Sequence, residues 1–181
     1  MLNFFVLCLL LSATAARAEN AAAFLQRVDD ARPKTGLIYT MTVSGEDGSL
    51  TYTTFSQNGK WRMDGEHDGQ KSRILFDGKK TVVILDKTGL EQNIDNFGAM
   101  PTKKEAEAFV LGRETVAGQY PCRMITNDSS KTTLCISERY GLPVFAQTPN
   151  FMMAVENIRE EQLPEKTFAI PDDVQIISAM P

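Results

Sequence analysis

Two cysteines are the residues whose chemistry the sequence specifies most clearly. Cys122 and Cys135 lie in neighbouring predicted strands, and a turn centred on Asp128-Ser129 places them directly opposite each other. Opposed residues of antiparallel strands have Cα atoms roughly 4.5–5.5 Å apart, a distance that a disulfide can bridge. The alternative, a redox-active pair, usually takes the form Cys-x-x-Cys at the start of a helix. The pattern therefore predicts a structural disulfide.

The only histidine, His67, lies in an acidic segment similar to the first half of a calcium-binding loop. This segment, residues 64–69, carries acids at alternate positions and ends in Gly69. The position that would need a closing glutamate is Leu75, and predicted strands rather than helices flank the segment. A solvated turn is the favoured interpretation, with weak calcium binding as the alternative.

Catalytic chemistry has few candidate residues in this chain. One histidine cannot build a two-histidine metal site, and the sequence has neither a Gly-x-Ser-x-Gly turn nor a phosphate-binding glycine loop. Acidic residues are common, but nothing sets one pair apart as acid and base. We therefore expect a protein that is not an enzyme, with no catalytic residue, no metal site and no cofactor.

The first residues have the pattern of a secretory signal peptide. Residues 4–11 are an unbroken apolar run, and Ala16-Arg17-Ala18 is a small-residue cleavage motif. An uncleaved anchor is the alternative, but the run is too short to span a bilayer. We expect residues 1–18 to be removed, leaving a single domain of residues 19–181 in the periplasm, where a disulfide can persist.

Charge and hydropathy argue against nucleic-acid binding and against a membrane-spanning helix. The formal charge is −4 at pH 7, and the sequence has no basic run of the kind that follows a phosphate backbone, so we expect no nucleic acid. No second apolar stretch approaches the roughly 20 residues of a membrane-spanning helix. We therefore expect no transmembrane span after signal cleavage.

Residues after position 36 alternate in polarity, which predicts a series of antiparallel hairpins. Turns at residues 45–48 and at Asn58-Gly59 set the register, since an Asn-Gly pair favours a two-residue hairpin turn. In this register the large apolar side chains of three strands share one face. They are Tyr39, Met41, Val43, Leu50, Tyr52, Trp61 and Met63.

The rest of the chain predicts further strands and two short helices. One helix covers residues 21–30 and follows the capping residue Asn20; the other covers 102–110 and is expected to pack over the apolar hairpin of 72–76 and 81–85. Residues 89–100 are expected to form a surface loop. The predicted fold class is α+β: a strongly curved antiparallel β-sheet, an incomplete β-barrel, with short helices packed on one side.

The apolar face has two interpretations. It can be a filled core, or it can line a cavity for a hydrophobic ligand, because methionine adapts to irregular apolar ligands. The second interpretation assigns ligand binding to the side chains Tyr39, Met41, Val43, Tyr52, Trp61 and Met63.

The order of elements and several short motifs resemble a known family. The motifs include Asn-Gly-Lys-Trp-Arg-Met-Asp at 58–64, Gly-Gln-Tyr-Pro-Cys at 118–122 and Tyr-Gly-Leu-Pro at 140–143. The chain resembles the periplasmic lipoprotein-carrier superfamily (LolA/LolB-like proteins), and most closely its DUF4412-like relatives. The resemblance implies an incomplete barrel whose cavity receives a lipid or a lipoprotein acyl chain. The alternative is an envelope protein-interaction domain with a filled core.

Overall fold

The computed structural model describes residues 19–92 and 100–177, so the predicted signal peptide lies outside the described residues. The described helices are α1 (Ala21–Asp30), α2 (Lys103–Ala106) and a 3₁₀ turn (Glu165–Phe168). The described strands are β1 (Gly36–Gly45), β2 (Gly48–Gln57), β3 (Lys60–His67), β4 (Gln70–Phe76), β5 (Thr81–Leu85), β6 (Thr88–Gln92), β7 (Val110–Ala117), β8 (Tyr120–Asn127), β9 (Thr132–Ser137), β10 (Leu142–Gln147), β11 (Phe151–Glu161) and β12 (Gln175–Ile177).

The strands form one open sheet, in the order β12-β6-β5-β4-β3-β2-β1-β11-β10-β9-β8-β7. All pairs are antiparallel except β12, which lies parallel to β6. Because β12 and β7 stand at opposite ends of this order, the sheet does not close into a barrel. The predicted α+β class, a curved antiparallel sheet with short helices, is confirmed.

The early hairpins have the register that the sequence predicts. Val43 lies opposite Leu50, and Met41 lies opposite Tyr52. In the next hairpin Trp61 lies opposite Ser56. The turn residues Asn58 and Gly59 have φ angles of 52° and 76°, the left-handed conformations that such a turn requires.

Helix α1 packs against the half of the sheet that contains β8 and β9. The Asn20 side chain accepts a hydrogen bond from the Ala23 amide at 2.8 Å, which caps the helix. The apolar stripe of the helix is buried. Arg27 on the same helix forms ion pairs with Glu19 at 2.9 Å and with Glu138 at 2.7 Å. The apolar cluster beneath the helix contains Phe24, Leu25, Val28, Ala106, Ile125 and Ile136.

The second helix is shorter than predicted and lies elsewhere. Helix α2 spans only Lys103–Ala106, and Ala106 packs in the cluster beneath α1 rather than over the hairpin of β4 and β5. The capping box between Thr102 and Glu105 is present as predicted. The helix ends early because the chain joins the sheet at Val110, where β7 begins.

The C-terminal segment covers the other face of the sheet. Leu163 and Phe168 pack against the buried Ile38 and the partly buried Phe55, whose side chains point away from the predicted apolar face. Strand β6 occupies part of the segment that was expected to be a loop, and residues 93–99 of that segment lie outside the described residues. A Cβ atom at Gly89 would lie 2.5 Å from the terminal methyl group of Ile176, so glycine at this position lets β12 pack closely beside β6.

Candidate functional site

A cavity of about 930 Å³ lies between α1 and the sheet face that carries the apolar side chains of β1 to β3. Its volume falls within the range of roughly 300–1,000 Å³ typical of small-molecule sites. We call the sheet side of the cavity its floor. The floor residues are Leu37, Tyr39, Met41, Thr54, Trp61, Met63 and Phe76.

Aromatic and methionine side chains give the floor its apolar character. The Trp61 and Phe76 rings stack with centroids 5.9 Å apart and an interplanar angle of 28°. Met41 and Met63 are 3% and 2% exposed, and both belong to the main apolar cluster of the protein. A ligand on this floor therefore contacts hydrocarbon, sulfur and ring surfaces.

Charged side chains line the opening of the cavity, which we call its rim. Two of the rim cations are paired: Arg32 lies 3.1 Å from Asp29, and Lys60 lies 2.6 Å from Glu165. An apolar floor under a charged rim suits a molecule with an apolar body and a polar end. The charged rim residues are Asp29, Arg32, Lys60, Lys103 and Glu107.

Four of the six residues assigned to ligand binding line this cavity: Tyr39, Met41, Trp61 and Met63. Val43 and Tyr52 are not among its lining residues. They pack against the same apolar cluster from farther along their strands.

Local packing explains the position of Tyr52. Its ring lies over Gly65, where a side chain would meet the ring at 2.7 Å. Val43 and Tyr52 therefore share the apolar face without lining this cavity, and their assignment to ligand binding stays a prediction.

The sequence did not single out the individual α1 side chains that line the cavity, nor Thr54 on its floor. Ala22, Ala23 and Leu25 of α1 form the wall opposite the floor. Thr54 lies directly across from Tyr39 and Met63 in the register that the turns predict. The register therefore contained the signal for Thr54, whereas the docking of α1 depends on contacts between distant segments.

The Tyr39 phenol is protonated at physiological pH. Burial on the cavity floor raises the pKa of Tyr39 to about 12, and the nearby Arg32 charge opposes this only in part. Across the strand, Thr54 is 2% exposed, and its Oγ1 has no hydrogen-bond partner among the described residues. The polar groups of the floor are thus uncharged.

The predicted disulfide is present, but in a different register. Cys122 and Cys135 are bonded with a Cα–Cα distance of 5.4 Å. However, Cys135 lies opposite Met124, so the bond runs diagonally between the strands and the prediction of directly opposed cysteines was wrong.

A longer turn causes this shift of register. The Asn127 side chain accepts hydrogen bonds from the amides of Ser129 at 3.0 Å and Ser130 at 3.2 Å. Lys131 then adopts a φ of 52°, and the strand resumes at Thr132. These contacts centre the loop one residue later than the predicted Asp128-Ser129 turn.

The disulfide lies on the sheet face opposite α1. Cys135 alternates along β9 with Leu134 and Ile136, and Ile136 belongs to the cluster beneath α1. Successive side chains of a strand point to opposite faces. Neither cysteine lines the cavity, but both belong to the same apolar cluster as the floor residues Met41 and Met63.

Only Asp68 and Gly69 of the acidic segment form the exposed hairpin turn between β3 and β4, because residues 64–67 belong to β3. His67 Nε2 lies 3.5 Å from the Asp68 carboxylate, and both side chains are largely exposed. Residues 19–92 and 100–177 contain no group of three or more His, Cys, Asp or Glu side chains that could hold a metal ion.

Asp64, at the start of the same acidic segment, forms ion pairs with Arg62 and Arg73. Burial tends to raise the pKa of Asp64, but hydrogen bonds from Arg62 and Arg73 outweigh it, so the pKa lies below its usual range. Arg73 Nε donates to Asp64 at 2.8 Å, and Arg62 packs over the Phe55 ring at 4.9 Å. The group ties β3 to β4 on the face away from the cavity.

The described helices are not long and apolar enough to cross a bilayer.

No protein-family model matches the chain, and no curated protein matches it in sequence.

Solved structures do match the chain in fold. An uncharacterized conserved protein from Thermus thermophilus has a TM-score of 0.64 at 13% identity, covering 86% of this chain and 96% of its own. MucB from the Pseudomonas aeruginosa MucA/MucB complex has a TM-score of 0.52 at 14% identity, covering 88% of this chain. This chain spans 64% of that MucB chain. At these identities the likeness establishes a shared fold.

The matching structures also include a lipoprotein-sorting domain, the kind of protein that the sequence motifs resemble. It is a putative outer membrane lipoprotein-sorting protein domain from Vibrio parahaemolyticus, with a TM-score of 0.42 at 8% identity, covering 82% of this chain and 95% of its own. That similarity is too low to carry an argument by itself. The likeness to DUF4412-like proteins stays a prediction from the sequence.

Proposed function

We propose that this protein is a non-catalytic binding module that holds a lipid or another hydrophobic ligand in the cavity between α1 and the sheet. The observation that carries the proposal is the open volume of about 930 Å³ over a floor of methionine and aromatic side chains. A filled core would leave no such space, because protein interiors are close-packed. We further propose that it acts in the periplasm, where the Cys122–Cys135 bond persists.

Blocking the cavity mouth tests this proposal. Ala23 is exposed on α1 and lines the cavity, so Ala23→Trp places a large ring in the opening. Ala31 is also exposed but lies outside the lining residues, which makes Ala31→Trp the matched control.

Native mass spectrometry of protein purified from a bacterial periplasm provides the measurement. We expect wild type and Ala31→Trp to carry co-purifying lipid and Ala23→Trp to lose most of it. Wild-type protein that is free of lipid, and that also fails to bind added diphenylhexatriene, a fluorescent hydrocarbon, would contradict the proposal.

A second candidate function is docking of an envelope protein. It is favoured by exposed apolar side chains where β1, β2 and β11 meet: Leu50 at 36%, Phe151 at 42% and Met152 at 46%. Similar folds also bind proteins, since MucB was solved in complex with MucA(peri). Under this hypothesis Phe151→Glu abolishes capture of a partner while leaving diphenylhexatriene binding unchanged, whereas Ala23→Trp has the reverse effect.

A further inference from the structure

A threonine on the cavity floor carries a hydroxyl group whose hydrogen bonds are not satisfied. Oγ1 of Thr54 has no partner within the described chain, although the residue is 2% exposed. The strand β2 that holds it is paired on both sides, with β1 and β3. A buried hydroxyl without a partner destabilises the folded state, because its bonds to water are lost and not replaced. A valine has nearly the same shape and avoids this cost.

The neighbours of Thr54 allow a ligand to reach it. Met63 lies directly across on β3, and Met41 is a diagonal neighbour on β1. Both side chains are unbranched and have three rotatable bonds, so a change of rotamer at either one would open the threonine to an entering chain. Thr54 itself is among the residues that line the cavity.

The polar group that suits this position is uncharged. The charges around the cavity lie at its rim, where Arg32 is paired with Asp29 and Lys60 with Glu165. A carboxylate at the depth of Thr54 would lose its hydration without gaining a dedicated cation. An ester carbonyl or an alcohol needs only the hydroxyl.

We propose that Thr54 is a hydrogen-bonding anchor of this cavity, and that the ligand is an acyl or alkyl chain bearing an uncharged ester or alcohol oxygen rather than a plain hydrocarbon or a free fatty acid. The inference rests on the proposed function, because it requires a ligand in the cavity. It adds the chemical class of that ligand and the residue that selects it.

Competition binding tests the anchor. Diphenylhexatriene has no hydrogen-bonding atom and reports occupancy of the cavity; methyl decanoate and ionised decanoate at pH 8 compete for it. We expect wild type to bind methyl decanoate more tightly than decanoate. Thr54→Val should weaken the ester by roughly 2- to 12-fold, the loss expected for one neutral hydrogen bond, and should leave the hydrocarbon within twofold.

Two controls keep the result interpretable. Thr54→Ser retains the hydroxyl and should keep the ester preference, whereas Thr53→Val changes the neighbouring exposed threonine and should alter neither ligand. Equal weakening of ester and hydrocarbon in Thr54→Val, unchanged ester binding, or tighter binding of decanoate would overturn the anchor while leaving a hydrophobic site intact. Wild type that carries no co-purifying lipid and binds neither diphenylhexatriene nor methyl decanoate would overturn the proposed function and the anchor together.

Discussion

Thr54 shows how a single residue of this protein trades stability for a hydrogen-bonding group on the cavity floor. Its buried hydroxyl has no partner within the described chain, whereas the methyl group of valine would pack at the same position. We expect Thr54→Val to raise the free energy of unfolding by about 1 kcal/mol, because an unsatisfied buried polar group is removed. Urea denaturation at pH 7 measures this, with Thr53→Val as the control. A less stable Thr54→Val protein would mean that the hydroxyl has a partner after all.

Asp64 makes the stability of the protein depend on pH. Its folded-state pKa is depressed, so its contribution is fully present above the ordinary aspartate pKa of about 3.9 and is lost as the pH falls through the lower folded value. Because the group is partly exposed, we expect Asp64→Asn to lower the free energy of unfolding by about 1 kcal/mol at pH 7. The difference should shrink below pH 4 in denaturation experiments. A difference that is the same at pH 7 and at pH 3 would contradict this.

At the scale of elements, the disulfide links β8 and β9 on the face away from the cavity. Replacing Cys122 and Cys135 by serine should lower the free energy of unfolding by about 3 kcal/mol, since closing a loop of this length restricts the unfolded chain. Diphenylhexatriene should bind the folded variant as well as wild type. Loss of binding under conditions where circular dichroism shows a folded protein would show that the bond also shapes the cavity.

The elements differ in how far the sequence could predict them. The hairpins of β1 to β3 were predictable in register, because each is set by a local turn and a one-residue slip would scatter the apolar side chains. The β8–β9 register was missed because the Asn127 side chain extends the turn. The place of α2 was missed because capping defines where a helix begins, whereas its docking partner depends on the whole fold.

The same distinction applies to the candidate site. One wall of the cavity lies on neighbouring strands, so Tyr39, Met41, Trp61 and Met63 could be grouped from periodicity alone. The opposite wall comes from α1, and its distance from the sheet sets the free volume. Periodicity indicates which face of a strand is apolar, but it does not indicate whether that face is covered tightly or left with space beside it.

For the whole molecule, the proposed function implies that a ligand held between the sheet and α1 binds only the folded state and therefore stabilises it. A ligand that binds only the folded state adds about 2.7 kcal/mol to the free energy of unfolding at a free concentration 100 times its dissociation constant. We expect diphenylhexatriene or methyl decanoate to raise the thermal midpoint of wild type in proportion to its saturation.

The variant with a blocked cavity separates this effect from binding elsewhere on the surface. Ala23→Trp should show no ligand-dependent rise in the thermal midpoint, whereas Ala31→Trp should respond as wild type does. Differential scanning fluorimetry over a series of ligand concentrations measures both. An equal rise in all three proteins would place the ligand outside the cavity, for instance at the exposed side chains of Leu50 or Phe151, and would favour the docking function over ligand binding in the cavity.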